Sequence, residues 1–182
     1  FDLNNTFQGD VLSSNTLGGF TWPVPTYVEQ GLNMEQQITS WFGWRGAIAG
    51  TSHAGANFHT GLDISAGGSP PIVAARDGVI IRNTTDGDGY GNYIVIKHDN
   101  GYYTLYGHMS TTDASLVAGT QVKAGQQIGI MGTTGRSSGV HLHFEIIEAT
   151  EDSQIWSRDN KRDPKEFFNE DCSGKGIGGS LA

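Results

Sequence analysis

The sequence predicts a mostly β protein, with an antiparallel β-sheet forming a sandwich or barrel-like core and with few short helices. Short apolar runs recur along the chain, and turn signals separate them at intervals of about 8–12 residues, a spacing typical of antiparallel β folds. The chain contains 27 glycines and only 16% charged residues, which favours a turn-rich β protein over a helical bundle. Its 182 residues suffice for one well-cored domain with appendages.

Residues 1–40 are predicted to form an N-terminal arm that packs on or near the domain that follows. Residues 1–20 mix small polar residues with isolated apolar ones, as irregular segments do. Two prolines favour extended chain at residues 22–25, and the apolar spacing over residues 29–40 allows one short helix. Residues 38–45 then indicate a strand that runs into a glycine turn.

The predicted core domain spans residues 41–170. Its clearest element is a β-hairpin made of strands 92–98 and 102–108 around the turn Asp99-Asn100-Gly101. Further strands are expected at residues 72–75, 79–81, 117–122 and 127–131, with a turn at 76–78 and a loop at 84–91. Residues 163–168 resemble a short capped helix with proline in its first turn, and residues 171–182 are predicted to be a flexible tail.

The charge balance and the apolar patterning exclude several classes of function. The chain has 11 Lys and Arg residues against 19 Asp and Glu residues, which argues against nucleic acid as a main partner because phosphate binding needs a basic face. No run of about 18 apolar residues occurs, so no membrane span is expected. The single cysteine, Cys172, cannot form an internal disulfide.

Two histidine motifs carry the candidate chemistry. His141 and His143 lie two residues apart in an apolar run, and on a strand this spacing points both imidazoles to one face. His59 and Asp63 are four residues apart around Gly61, where a tight bend can bring an imidazole and a carboxylate together. Asp63 also stands between two apolar residues, where an acid is costly to bury unless it is paired or bound to a metal.

This set of residue types fits a catalytic zinc site. Such a site takes three protein ligands, commonly two histidines and a carboxylate, and keeps a fourth position open. The chain offers His59, Asp63 and one or both of His141 and His143. A nearby histidine that is not a ligand could move the proton of a water molecule to a leaving amine, and His108 is a second candidate for this role.

The segments His59-Thr60-Gly61-Leu62-Asp63 and His141-Leu142-His143-Phe144-Glu145 together resemble the signature of the lysostaphin-type zinc endopeptidases, which cut bacterial peptidoglycan. Intervening segments occur in the order found in that family, namely residues 74–79, 106–110, 122–126 and 132–139. The resemblance covers about residues 41–168. It implies a mostly antiparallel β fold with a narrow groove over the zinc ion.

The resemblance also implies a role for each site residue. His59, Asp63 and His143 would be the ligands of one zinc ion per chain. His108 and His141 would be the catalytic pair that orients water, moves its proton and stabilises charge in the transition state. The implied substrate is a peptide bond in the stem peptide or cross-bridge of peptidoglycan, and the implied location is the bacterial cell wall or the extracellular space.

Departures from the family pattern fall mainly where the walls of the groove would lie. Residues 46–57, residues 84–91 and the arm match weakly, so substrate choice is the least transferable property. The arm could also cover the groove. Because the sequence begins at Phe1 without methionine, we expect a processed form or a piece of a longer cell-wall-associated, phage or conjugation protein.

Two other functions fit parts of the sequence. Some relatives of this fold have lost metal ligands and activate other wall hydrolases, so a non-catalytic zinc-binding regulator is the alternative, although all five site residues are present here. A carrier domain of the lipoyl or biotinyl type is suggested only by residues 122–128, where Lys123 lacks the hairpin-tip context of a carrier lysine.

Several other residues have a structural as well as a functional interpretation. Tyr106 could face the site or pack in the core, and Glu145 could support a metal-binding histidine or form a salt bridge. His53 and His98 are expected to be ordinary surface residues. Three aromatic residues are expected to pack in the core: Trp41, Phe42 and Trp44.

Overall fold

Ten strands join in one antiparallel sheet in the computed structural model, which describes residues 19–45 and 57–176. Two short helices precede the sheet, α1 (Pro25–Glu29) and α2 (Met34–Gln37). The strands are β1 (Ile38–Ser40), β2 (Gly43–Arg45), β3 (Asn57–His59), β4 (Leu62–Ile64), β5 (Pro71–Val73), β6 (Gly78–Asp86), β7 (Gly91–Lys97), β8 (Tyr102–Thr112), β9 (Gln121–Val122), β10 (Gln127–Met131), β11 (Leu142–Glu148) and β12 (Lys161–Arg162). Three 3₁₀ helices lie at Asp152–Gln154, Arg158–Asn160 and Pro164–Phe167. The predicted fold class is confirmed.

The strand order places β4, β11 and β8 side by side. Across the sheet the order is β1-β4-β11-β8-β7-β6-β9, with β10 beside β5 and β8 and with β12 beside β11. Strands β2 and β3 form a separate two-stranded sheet. Because both histidine motifs and the strand that carries His108 are neighbours in this order, the side chains of the site converge on one region.

The central strands are covered on both faces, which explains their nearly continuous apolar sequence. On β7, Ile94 and Ile96 belong to one buried cluster, whereas Tyr93 and Val95 belong to another. Successive side chains of a strand point to opposite faces of the sheet, so alternate residues supply the two clusters. The larger cluster also contains Leu142 from β11.

The described part of the N-terminal arm packs into the same core. Four of its aromatic and aliphatic residues are at most 3% exposed: Phe20, Trp22, Val24 and Tyr27. The predicted short helix is α2, and it begins with a capping box in which Asn33 and Gln36 each bond the other's backbone amide. Residues 1–18 lie outside the described part of the chain, and the domain boundary at residue 40 stays a prediction.

The hairpin around residues 99–101 is confirmed as β7 and β8, with Lys97 opposite Tyr103. Other element predictions need correction. The expected loop at 84–91 is shorter, because β6 continues to Asp86 and its two threonines pair with β7. The strand expected at 72–75 ends at Val73, and it pairs with β10. Residues 38–45 are split between β1 and β2, which belong to different sheets.

The predicted flexible tail begins too early at residue 171. Cys172 is buried, and the backbone amide of Lys175 donates to the carbonyl of Phe167. Residues 171–176 therefore pack against the domain, while residues 177–182 lie outside the described part. The predicted capped helix near the end of the chain is the 3₁₀ helix Pro164–Phe167, where the Asp163 side chain accepts from the amide of Lys165. No helix within residues 19–45 and 57–176 is long and apolar enough to cross a bilayer.

Candidate metal centre

Asp63 and His143 face each other across the paired strands β4 and β11. Oδ1 of Asp63 lies 3.1 Å from Nδ1 of His143 and 3.1 Å from Nε2 of His59. One ligand atom from each residue lies within 4.8 Å of the others, so these three side chains could hold a metal ion. The structure thus brings together the two motifs that the sequence singled out.

Gly61 lets the bend between His59 and Asp63 approach β11 closely. A Cβ at this position would meet the carbonyl oxygen of Phe144 at 2.3 Å, which is too close for any other residue type without a shift of backbone. The bend therefore passes directly over β11. It turns the end of β3 towards β4, and this turn brings the His59 imidazole back to the Asp63 carboxylate.

Hydrogen bonds set the proton positions of the two histidines. Nδ1 of His59 lies 2.9 Å from the carbonyl oxygen of Trp41, which can only accept, so Nδ1 carries the proton and Nε2 faces Asp63. Nε2 of His143 lies 2.9 Å from Oε2 of Glu145, which leaves Nδ1 facing Asp63. Each of the two histidines therefore directs one ring nitrogen towards Oδ1 of Asp63.

The donor set fits a divalent metal. Ligands bound to one tetrahedral zinc ion at about 2.0–2.1 Å lie roughly 3.3 Å from each other, close to the 3.1 Å that separates Asp63 from each histidine. Burial acts to raise the pKa of Asp63, but hydrogen bonds to His143 and His59 hold it well below its usual range. Burial acts to lower the pKa of His143, but hydrogen bonds to Asp63 and Glu145 raise it to about 9. A metal ion held between these groups would take the place of the proton on Nδ1 of His143.

His108 and His141 lie beside this cluster, with ring centroids 4.7 Å apart. Nδ1 of His108 is 2.7 Å from the carbonyl oxygen of Thr134, and Nδ1 of His141 is 2.8 Å from that of Gly139. Each Nδ1 therefore carries a proton and donates it, which leaves each Nε2 as an acceptor. Nε2 of His141 lies 3.5 Å from Oδ1 of Asp63.

The backbone of His108 is strained. Its φ angle is +64°, in the left-handed region that non-glycine residues rarely adopt. Its amide donates to the carbonyl of Tyr90, which holds the strand in this conformation. Burial lowers the pKa of the His108 imidazole, so the neutral form is favoured. Strain of this kind tends to occur at functional sites.

Comparison with known proteins identifies the family. The sequence profile of Peptidase family M23 matches residues 57–155, which is more than half of the chain. The chain belongs to peptidase family M23. The lysostaphin-type resemblance is thereby confirmed, and the matched residues include all five site residues.

Two curated relatives share the M23 region. The chain is 40% identical over 89 residues to peptidoglycan DD-endopeptidase ShyA of Vibrio cholerae, covering 49% of this chain and 20% of that protein. It is 41% identical over 108 residues to murein hydrolase activator NlpD of Escherichia coli, covering 57% of this chain and 27% of that protein. The chain thus spans about a fifth to a quarter of the length of these relatives.

Two solved structures share the fold. A zinc containing peptidase from Vibrio cholerae superposes with a TM-score of 0.60 at 30% identity, over 80% of this chain and 39% of that chain. The catalytic domain of lysostaphin from Staphylococcus simulans superposes with a TM-score of 0.60 at 25% identity, over 80% of this chain and 97% of that chain.

The site of this M23 domain lies in an open groove of about 790 Å³. Arg45 and Arg136 line the groove together with the cluster of histidines, and so do Ser137 and Ser138. The Ser137 hydroxyl donates to the carbonyl of Gly139 and lies 3.2 Å from Nδ1 of His141. Ser137 thus contacts the same carbonyl that accepts from His141. This contact gives Ser137 a structural role.

Sequence reasoning missed three side chains that surround Glu145. Thr60, Tyr90 and Lys161 all donate to its carboxylate. Glu145 contacts His143 at 2.9 Å and also forms a salt bridge with Lys161, so its carboxylate makes both of the contacts left open by the sequence. Thr60 lies inside the first histidine motif, whereas no local sequence pattern marks Tyr90 or Lys161 as a residue of the site.

Other residue predictions have mixed outcomes. Tyr106 belongs to the core, where its hydroxyl accepts from the amide of Ala75. His98 is 5% exposed, so its expected surface position is wrong. Trp41 and Trp44 are 40% and 43% exposed instead of buried. The prediction for His53 and most of the 46–57 insert fall outside the described residues.

Proposed function

We propose that this chain is a zinc-dependent endopeptidase domain that hydrolyses peptide bonds in bacterial peptidoglycan. The observation that carries the proposal is the convergence of His59, Asp63 and His143 in an open groove, with His108 and His141 beside them. The similarity to the peptidoglycan DD-endopeptidase ShyA supports a peptidoglycan substrate. The bond could lie in a stem peptide or in a cross-bridge.

His59, Asp63 and His143 would hold one zinc ion through Nε2, Oδ1 and Nδ1 respectively. When bound, zinc polarises a carbonyl group and lowers the pKa of water towards neutrality. The zinc containing peptidase that shares the fold supports the choice of metal. The chain supplies one carboxylate and two imidazoles, with His143 giving up its Nδ1 proton on binding, and this is a common ligand set for catalytic zinc.

His108 and His141 would handle the protons of the reaction. Each has an Nε2 without a proton, because its Nδ1–H donates to a backbone carbonyl. One of them accepts the proton of the attacking water at Nε2 and gives it to the nitrogen of the leaving amine, so the peptide C–N bond breaks while a new C–O bond forms. The other, when protonated, donates from Nε2 to the oxygen on which negative charge develops.

The setting follows from the substrate. Peptidoglycan lies outside the cytoplasmic membrane, so the domain would act in the cell wall or in the extracellular space. The relatives are about four to five times longer than the aligned region, which is consistent with a domain of a longer cell-wall-associated, phage or conjugation protein.

The test is digestion of purified peptidoglycan of several cross-bridge types, followed by assay of new amino termini and mass spectrometry of the fragments. We expect new amino termini with the wild-type chain, and none after treatment with chelator or with His59→Ala. Full zinc occupancy without cleavage of any peptidoglycan type would contradict the proposal.

A non-catalytic regulator is the second candidate, because the chain matches the murein hydrolase activator NlpD over 57% of its length. The presence of all five site residues favours the peptidase. The two are separated by mixing the chain with a purified wall hydrolase. A regulator would raise the activity of that hydrolase even when its own His108 is replaced, whereas a peptidase would lose its effect with this change.

A further inference from the structure

Glu145 is a fully buried carboxylate that lies two residues from His143 on β11. Its exposed fraction is 0%. Oε2 faces three donors, the Thr60 hydroxyl at 2.5 Å, the Tyr90 hydroxyl at 2.8 Å and Nε2 of His143 at 2.9 Å. Oε1 lies 2.5 Å from Nζ of Lys161. A buried charge is costly unless it is paired and hydrogen-bonded, and here both oxygens have partners.

The two ring nitrogens of His143 face different carboxylates. Nδ1 lies 3.1 Å from Asp63, and Nε2 lies 2.9 Å from Glu145. A neutral imidazole has one N–H and one lone pair, and only the lone pair can bind a metal. Asp63 by itself would favour a proton on Nδ1, which opposes metal binding. The acceptor at Glu145 favours a proton on Nε2 and leaves Nδ1 free.

Lys161 comes from a part of the chain outside the family match, which ends at residue 155. It lies on β12, opposite Ile147 of β11, and its side chain is only 2% exposed. The ammonium group also lies 6.0 Å from the ring centroid of Trp156. By contacting Oε1, Lys161 fixes the rotation of the Glu145 carboxylate, so that Oε2 points to His143.

We propose that Glu145 is a positioning residue for the metal site: it accepts from Nε2 of His143 and so keeps Nδ1 available to the metal, while Lys161 holds the carboxylate in place. Loss of a partner of this kind typically weakens metal affinity about 10- to 100-fold. The inference rests on the metal site of the proposed function but not on its hydrolytic activity.

The first test measures zinc affinity by competition with a chromophoric chelator, using the whole 182-residue chain. We expect Glu145→Gln to bind zinc about 10- to 100-fold more weakly than wild type. Lys161→Met should lower the midpoint of denaturant unfolding, because it leaves a buried carboxylate without its counter-charge. The double variant removes both buried charges, so we expect its unfolding midpoint to recover while its zinc affinity stays weak.

The matched control is the exposed pair Glu148 and Arg162, which lies on the same two strands. Glu148→Gln and Arg162→Met should leave zinc affinity unchanged. A second readout is the ¹⁵N-edited NMR spectrum of the zinc-loaded protein. Wild type should show a downfield, slowly exchanging Nε2–H proton from His143, and this signal should move upfield and exchange faster in Glu145→Gln.

Two results would overturn the inference. One is wild-type zinc affinity in Glu145→Gln. The other is a double variant that regains zinc affinity together with stability, because Glu145 would then serve the fold alone. A wild-type chain that binds zinc but cleaves no peptidoglycan would overturn the proposed function and leave this inference standing.

Discussion

Asp63 and His143 are direct partners across neighbouring antiparallel strands, and Oδ1 of the first lies 3.1 Å from Nδ1 of the second although 80 positions separate them in the sequence. The register of β4 against β11 therefore sets the geometry of the candidate metal site. A slip of one residue would move one of the two side chains to the other face of the sheet. The third candidate ligand, His59, joins them only through the bend at Gly61.

Replacement of Gly61 by alanine should damage both the fold and the metal site. The added Cβ would meet the Phe144 carbonyl oxygen at 2.3 Å, so the bend must move away from β11. We expect a loss of about 1–3 kcal/mol in the free energy of unfolding, measured with denaturant, together with weaker zinc binding. Gly87→Ala is the control, because a Cβ at Gly87 meets nothing within 4 Å. Equal stability of the two variants would contradict this account of the bend.

His108→Ala and His141→Ala should keep zinc and lose turnover. Neither residue belongs to the group whose donor atoms converge within 4.8 Å. Loss of a proton-transfer residue typically lowers the rate about 10²- to 10⁴-fold. Elemental analysis of the purified variants gives the zinc content, and release of amino termini gives the rate. A site emptied by either change would mean that the division between ligands and catalytic residues is wrong.

The strained backbone of His108 predicts an unusual order of stability among variants. At a φ of +64°, alanine retains the steric penalty of a Cβ whereas glycine does not. The free energy of unfolding of His108→Gly should therefore be up to about 1 kcal/mol higher than that of His108→Ala. At Thr111, on the same strand and without a positive φ, we expect the opposite order. Denaturant unfolding of the four variants checks both orders.

Buried His98 should make stability fall in mild acid. Burial lowers its pKa to about 4, while Nδ1 bonds the Asp77 carbonyl and Nε2 bonds the Thr104 hydroxyl. Between about pH 4 and pH 6.5 the unfolded chain holds a proton that the folded chain does not, so the free energy of unfolding rises with pH across this window. The contribution is complete above pH 6.5 and amounts to roughly 3 kcal/mol at most.

The check on His98 is a series of unfolding measurements from pH 4 to pH 7, with His98→Gln beside wild type. A glutamine side chain does not titrate, so the variant should be less stable at neutral pH but show a shallower dependence on pH. Other acidic groups change the stability of both proteins alike with pH, so they do not alter the difference between the two slopes. Identical slopes for the two proteins would contradict a neutral, buried His98.

Much of the site could be predicted because its signals are local. The two-residue spacing of His141 and His143 places them on one face of a strand, and the clear hairpin that carries His108 predicts an antiparallel sheet. Glu145 continues the same alternation, so its approach to the metal site was also open to sequence reasoning. The family resemblance supplied the order in which these segments come together.

What could not be predicted depends on contacts between distant parts of the chain. His98 is buried because Phe20 of the N-terminal arm packs against it, with ring centroids 5.5 Å apart. Lys161 reaches Glu145 only because β12 pairs with β11. Because β12 has only two residues, it is too short to show the alternation by which a strand is predicted from sequence. Trp44 is exposed because β2 pairs with β3 in a separate small sheet rather than in the main one.

The most direct test of the zinc peptidase account is a stoichiometric titration of zinc into metal-free protein, with the rate of peptidoglycan cleavage measured at each addition. Cleavage should be absent without metal, rise in proportion to added zinc and level off at about one equivalent per chain, as expected for a single site. His59→Ala should stay inactive throughout. Full cleavage by the metal-free chain, or one bound equivalent of zinc with no cleavage, would contradict the account.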